Sequence, residues 1–197
     1  MIRAFVAIEL PDELCRALAI VQAHARGQLA SAINSTVKVQ WVSLESMHLT
    51  LKFLGDIKEV QVPMIGEALE RVAREQASFE VDASGAGVFP DARAPRVVWV
   101  GLKGAVDRLA QLAAAIESAL TPLGFPSNST PFAPHLTVAR VKEGQRDLGR
   151  ALAASKFLEQ VARVGPLLVR SIALMRSELN PAGSVYTRLR EATLKEA

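Results

Sequence analysis

Met47-His48-Leu49-Thr50-Leu51-Lys52-Phe53-Leu54-Gly55 is the stretch on which the fold turns. Side chains alternate between two faces along a strand, so His48 and Thr50 point one way while Met47, Leu49 and Leu51 point the other. Further on, Pro134-His135-Leu136-Thr137-Val138-Ala139-Arg140 repeats the order His, apolar, Thr, apolar within another strand-like run. The chain has three histidines and seven threonines, so two His-x-Thr pairs in matching contexts are a poor candidate for accident. A lone histidine is more often structural, whereas a repeated one argues for a shared site.

Outward from these motifs, elements read in pairs. A strand over 2–9 leads into a helix from Asp12 to about Ala30, whose His24 sits beside the apolar stripe and is given a structural or surface role. A short strand over 37–41 and a turn over 43–46 precede the first motif strand, 47–54, which Gly55-Asp56 closes. A helix follows over 59–76. Next come a strand over 79–88 kinked at Gly85-Ala86-Gly87, a proline-bearing loop over 89–95, a strand over 96–102 and a helix over 105–120. A polar loop over 127–134 delivers the second motif strand, 135–141, and a helical piece over 148–157 follows. The run 161–178 reads as strand broken at Gly165-Pro166. A turn at 180–184 leads into a last strand over 185–189, and the tail from Glu191 is expected to fray. Clustered strands argue against a doubly wound parallel sheet. The expected fold is α+β: one bilobal domain over 1–190 with antiparallel sheets, each half supplying one His-x-Thr strand beside a central cleft, and a tail over 191–197.

Bulk properties narrow the class. At 197 residues, half of them hydrophobic and 22% charged, the chain is long enough for one well-cored globular domain. A net charge of +3 tolerates an anionic substrate without demanding one. With 5% aromatic residues and scattered cations, a long single-strand stacking platform is not expected and any RNA contact should be local. The single Cys15 permits no internal disulfide, and neither Cys-x-x-Cys nor His-Glu-x-x-His is present, so no metal and no cofactor is expected. The apolar run at 2–8 is too short for a signal peptide and no segment reaches membrane-spanning length. A cytoplasmic monomer without membrane contact is the expectation.

Two imidazoles across a cleft supply a general acid and a general base near neutral pH without a metal. Threonine hydroxyls can donate to phosphoryl oxygens and offset charge on a pentacoordinate phosphorus. The pattern suits a phosphodiester site lacking a protein nucleophile. Spacing does not assign which imidazole is acid and which is base.

Around the motifs stand Phe-Val-Ala-Ile-Glu-Leu-Pro at 5–11, Trp41-Val42, Glu45, Phe53-Leu54-Gly55, Arg96-Val97-Val98-Trp99 and Pro131-Phe132-Ala133-Pro134. With these the chain resembles, from residue 2 to about 190, the RNA 2′,3′-cyclic phosphodiesterases, first named 2′-5′ RNA ligases, of the two-histidine phosphoesterases. The resemblance implies hydrolysis of a terminal 2′,3′-cyclic phosphate, on RNA ends or nucleotides, to a 2′-phosphomonoester. It assigns His48 to protonating the departing 3′ oxygen, His135 to activating water, and Thr50 and Thr137 to the non-bridging oxygens. Microscopic reversibility leaves 2′-5′ ligation open as a minor reaction.

The resemblance also sets Phe53 against the terminal base, Arg140 against the phosphate and Tyr186 at an aromatic position of the last strand. Strand parity disagrees for Phe53 and Arg140, each five positions from its histidine and so on the opposite face unless a bulge intervenes. Parity instead puts Lys52 on the face of Thr50, where it either reaches substrate or stands as a solvated lysine. The competing reading is a catalytically silent RNA- or nucleotide-binding module on the same fold, which requires a blocked cleft or misplaced imidazoles.

Overall fold

A computed structural model of the chain describes residues 1–32, 37–128, 130–180 and 183–196. Helix α1 (Asp12–Gln28) starts where Pro11 holds an extended backbone and Asp12 and Glu13 sit at the positive end of the helix dipole. It follows strand β1 (Ile2–Glu9) and precedes β2 (Lys38–Trp41), a 3-10 turn (Leu44–Ser46) and β3 (His48–Ile57). Helix α2 (Val62–Glu75), strands β4 (Phe79–Phe89) and β5 (Val97–Gly104) and helix α3 (Val106–Leu120) come next. The chain ends with β6 (His135–Glu143), α4 (Gln145–Ser155), the short α5 (Phe157–Gln160), β7 (Arg163–Val169), β8 (Ser171–Asn180) and β9 (Gly183–Thr193).

The strands lie in the order β7-β4-β5-β6-β3-β1-β8-β9, with β2 added to β6. The two His-x-Thr strands, β3 and β6, are neighbours at the middle, and their one registered pair is Leu49 with Leu136. The sheet therefore divides there into two antiparallel lobes, β3-β1-β8-β9 and β6-β5-β4-β7. The lobes are not successive halves of the chain. Strand β8 pairs with β1 across most of the sequence, Ala7 opposite Ala173 and Phe5 opposite Met175, so the last two strands complete the lobe that the first strand begins.

Helices cover one side of the sheet. Helix α2 packs on β9, β8 and α3, and α3 reaches β3, while α1 lies against β7 of the other lobe. Apolar positions at helical spacing, Leu109, Leu112, Ile116 and Leu120 on α3 and Ile65 and Leu69 on α2, are almost fully buried. Each such leucine or isoleucine contributes about 1.5–3 kcal/mol through removal of apolar surface from water. The opposite, concave side of the sheet carries the motif histidines.

Three boundaries differ from the sequence reading. The break between β7 and β8 falls at Arg170 and not at Gly165-Pro166, because β7 is an edge strand where Pro166 gives up no necessary ladder bond. The first motif strand runs on through Gly55, whose φ is 71°, to Ile57. The end does not fray: Ala192 and Leu194 are buried, and the Lys195 backbone accepts from Ser78 N–H at 2.7 Å and donates to Gln76 O at 2.9 Å. Asn180 pairs with Gly183 at the expected turn, whose Pro181 and Ala182 lie outside the described residues. Among the described residues no helix is long and apolar enough to cross a membrane.

Candidate active site

The two motif strands share one burial sequence. His48, Leu49, Thr50, Leu51, Lys52 and Phe53 read half-buried, buried, half-buried, buried, buried, exposed, and His135 to Arg140 read the same. The cause is a register shift at the same motif position in both. On β3, Thr50 is opposite Ala7 but Lys52 is opposite Val6, so Leu51 is an extra residue. On β6, Thr137 is opposite Trp99 but Ala139 is opposite Val98, so Val138 is the extra one. A bulge reverses strand parity beyond it.

That reversal carries Phe53 and Arg140 back to the face of the histidines. Phe53 is 65% exposed there, unusual for a phenylalanine, and shares a cavity of about 870 Å³ with His48, Arg140 and Tyr186. Lys52 is turned the other way, which corrects the expectation that it reaches substrate. It is 1% exposed, and its ammonium donates to Glu117 Oε2 at 2.6 Å and to Pro126 O at 2.8 Å behind the sheet. The matching position on β6 is buried Ala139.

The imidazoles are held alike. His48 Nδ1 donates to Ser46 O at 2.9 Å, and His135 Nδ1 donates to Ala133 O at 2.7 Å, each reaching the carbonyl two residues back. A carbonyl accepts only from N–H, so Nδ1 carries the proton and Nε2 is left for chemistry in the cleft. Aromatic rings flank both. Phe5 and Tyr186 stand 4.7 Å and 5.0 Å from His48, and Phe89 stands edge-on 5.0 Å from His135 with Trp99 at 6.4 Å. The Trp99 indole lies across Gly87, where a Cβ would come within 2.2 Å of the ring, so the bed for this wall requires glycine. Thr50 and Thr137 are half-buried on the histidine face, with no hydrogen-bond partner for either hydroxyl among the described residues. His135 and the threonines stand outside the lining of the larger cavity, beside the Leu49–Leu136 joint.

Burial pushes His48 down to about 4, against the opposing pull of Ser46 O, and the charges of Arg140 and His135 lower it further. Burial likewise lowers His135, with Ala133 O opposing and Arg140 adding to the shift. Arg140 thus acts on both imidazoles, and His48 senses His135 across the joint. Both shifts favour the neutral ring in the free protein.

Phe5, Phe89 and Trp99 are site residues that the sequence does not single out. Phe5 is the most accessible of them to sequence reasoning, since Arg3, Phe5, Ala7 and Glu9 alternate with the buried Ala4, Val6 and Ile8 along β1. His24 lies elsewhere, its Nε2 3.0 Å from Gln160 Oε1. Among the described residues no group of three or more His, Cys, Asp or Glu side chains is arranged to hold a metal ion.

The sequence matches the LigT-like phosphoesterases twice, over residues 8–99 and 100–186, once for each motif. The chain belongs to the LigT-like phosphoesterase family. It is 33% identical over 186 residues to an RNA 2′,3′-cyclic phosphodiesterase of Methanothermobacter thermautotrophicus, covering 94% of this chain and 95% of that one. An Aquifex aeolicus protein of the same name is 32% identical over 83% of this chain and 86% of its own. Among solved structures, one from Thermus thermophilus matches with a TM-score of 0.77 and 29% identity, covering 98% of both chains. Escherichia coli LigT complexed with 3′-AMP matches this phosphoesterase with a TM-score of 0.73 and 25% identity over 99% of both.

Proposed function

We propose that this LigT-like phosphoesterase hydrolyses a terminal 2′,3′-cyclic phosphate of RNA to a 2′-phosphomonoester, using its two imidazoles as acid and base. The observation that carries the proposal is the doubled construction: two strands with the same bulge, the same Nδ1 anchoring and two Nε2 atoms left for the cleft.

In this mechanism His135 Nε2 takes a proton from water as its oxygen attacks phosphorus. The P–O3′ bond breaks, and protonated His48 gives its Nε2 proton to the departing 3′ oxygen. The product carries a 2′-phosphate and a 3′-hydroxyl, and proton exchange with solvent resets both rings. Thr50, Thr137 and Arg140 donate to the non-bridging oxygens, where negative charge grows in the transition state. Phe53 stacks on the terminal base. Each proton transfer contributes about 10²–10⁴-fold to the rate.

His48 reaches its acid form with the substrate. A phosphate anion beside an imidazole favours the imidazolium, opposing the burial that keeps the ring neutral in the free protein. A 5′-hydroxyl in the place of water gives a 2′-5′ link by the same steps, and the abundance of water makes hydrolysis the main outcome.

The test is turnover, in EDTA, of a short RNA ending in a 2′,3′-cyclic phosphate. A 2′-phosphate product that disappears in both His48→Ala and His135→Ala, with each variant still folded, is the expected result. RNA that binds without product overturns it in favour of a silent binding module, and activity that EDTA abolishes and a divalent ion restores overturns the metal-free mechanism.

A further inference from the structure

We infer that the cleft continues beyond the terminal nucleotide into a subsite, formed by Arg3 and Lys142, for the phosphodiester that joins this nucleotide to the rest of an RNA chain. The inference rests on the proposed function and narrows its substrate class to oligonucleotides. The larger cavity, about 870 Å³, is lined by three cationic side chains, Arg3, Arg140 and Lys142, and by no carboxylate among the described residues. One of the three is accounted for by the proposed mechanism, since Arg140 lines this cavity together with His48 and stands on the histidine face beyond the bulge.

The other two stand one strand step further out. Arg3 shares the cleft face of β1 with Phe5, which is paired with Phe53, and two residues along a strand span roughly 7 Å. Lys142 stands in the same relation to Arg140, with buried Val141 between them. That step is comparable to the distance between neighbouring phosphates on an extended single strand. Both side chains are exposed, and neither forms an ion pair within the described residues. The nearby acids offset them only in part: Asp56 lies opposite Arg3 in the register, and Glu143 is engaged by Lys38 at 2.8 Å.

A nucleoside 2′,3′-cyclic monophosphate fills the positions of the imidazoles, Phe53 and Arg140 and ends in a 5′-hydroxyl, with no second phosphate to meet Arg3 or Lys142. A longer RNA presents its next phosphodiester there. Two cations on a concave wall focus potential onto such a chain and attract it in a salt-dependent way.

The test compares kcat/KM for a nucleoside 2′,3′-cyclic monophosphate with that for a trinucleotide ending in the same cyclic nucleotide, in the wild type and in the Arg3→Gln, Lys142→Gln double variant. The wild type is expected to favour the trinucleotide about 5- to 10-fold at low salt, given the modest worth of exposed charge pairs. That preference weakens as salt rises, each single-strand phosphate contact adding about 0.7 to the logarithmic slope. The double variant should lose the preference and the slope while its kcat/KM on the monophosphate stays within about twofold. A wild type that handles both substrates equally, or a variant that loses equally on both, overturns the subsite alone. A wild type that turns over neither overturns the phosphodiesterase reading and the subsite together.

Discussion

Gln22, reaching in from α1, donates from Nε2 to the carbonyl oxygen of Val138 at 2.7 Å, and Val138 is the residue that bulges from β6. The same amide donates to Val42 O at 2.8 Å, and Val42 N–H donates to Val138 O at 3.1 Å. The carbonyl of the bulged residue thus accepts twice, from the Val42 backbone and from a helix on the covered side of the sheet. The side chain that secures the turn-back of Arg140 is therefore nowhere near the cleft surface; Gln22 is 6% exposed.

Replacing Gln22 with Leu removes both amide hydrogen bonds, leaving Val138 O with Val42 N–H alone, and is expected to cost about 1–3 kcal/mol in urea unfolding. It should also lower kcat/KM by loosening Arg140. In an Arg140→Met background the kinetic loss should vanish while the stability loss persists. An undiminished kinetic loss in that background would separate Gln22 from Arg140.

Lys52→Met leaves Glu117 without its buried partner and is expected to cost about 3–5 kcal/mol. Adding Glu117→Met should restore much of that stability, because two neutral side chains escape the desolvation that both charges incur. Turnover by the folded fraction should be unchanged throughout, and a selective rise in KM for Lys52→Met would return the lysine to the cleft.

Phe53→Ala removes an exposed ring, so its unfolding free energy should move by no more than about 0.5 kcal/mol. Loss of a base platform should nonetheless weaken binding by about 1–3 kcal/mol, read as KM. Unchanged KM would reduce Phe53 to a surface ring.

The pH dependence follows from the burial of the imidazoles. The folded-state value of His48, about 4, lies below the ordinary 6.5, so between these values the unfolded chain binds more protons. This contribution to stability is complete above pH 6.5 and is lost as pH falls toward 4, on the order of 3 kcal/mol in all. His48→Gln should flatten the fall in urea midpoint between pH 7.5 and 4.5. The kcat/KM profile, which reports the free enzyme, should peak at a more acidic pH than kcat, which reports the complex with its phosphate anion. Coincident maxima would deny that substrate raises the imidazoles.

His48, Thr50, His135 and Thr137 are legible because a two-residue period and a repeat are local properties of sequence. The bulges at Leu51 and Val138 are not, since an extra residue shows only against the register of β1 and β5. Lys52 misleads for that reason: a lysine at an even offset from His48 looks polar-faced, and only the alanine at the corresponding position of the second motif hints at a core site. The lobes read as consecutive halves because nothing local announces that β8 returns to β1. Phe89 and Trp99 need the pairing of β4 with β5 to be seen as one wall.

The interleaving of the lobes has a consequence for synthesis. A chain leaving the ribosome presents both histidines long before β8 and β9 exist, and until then the outer edge of β1 is an unpaired strand. One of the two rings at His48, Tyr186, arrives on β9, the last strand. The aromatic wall around His48 is therefore completed only by the last strand to be made.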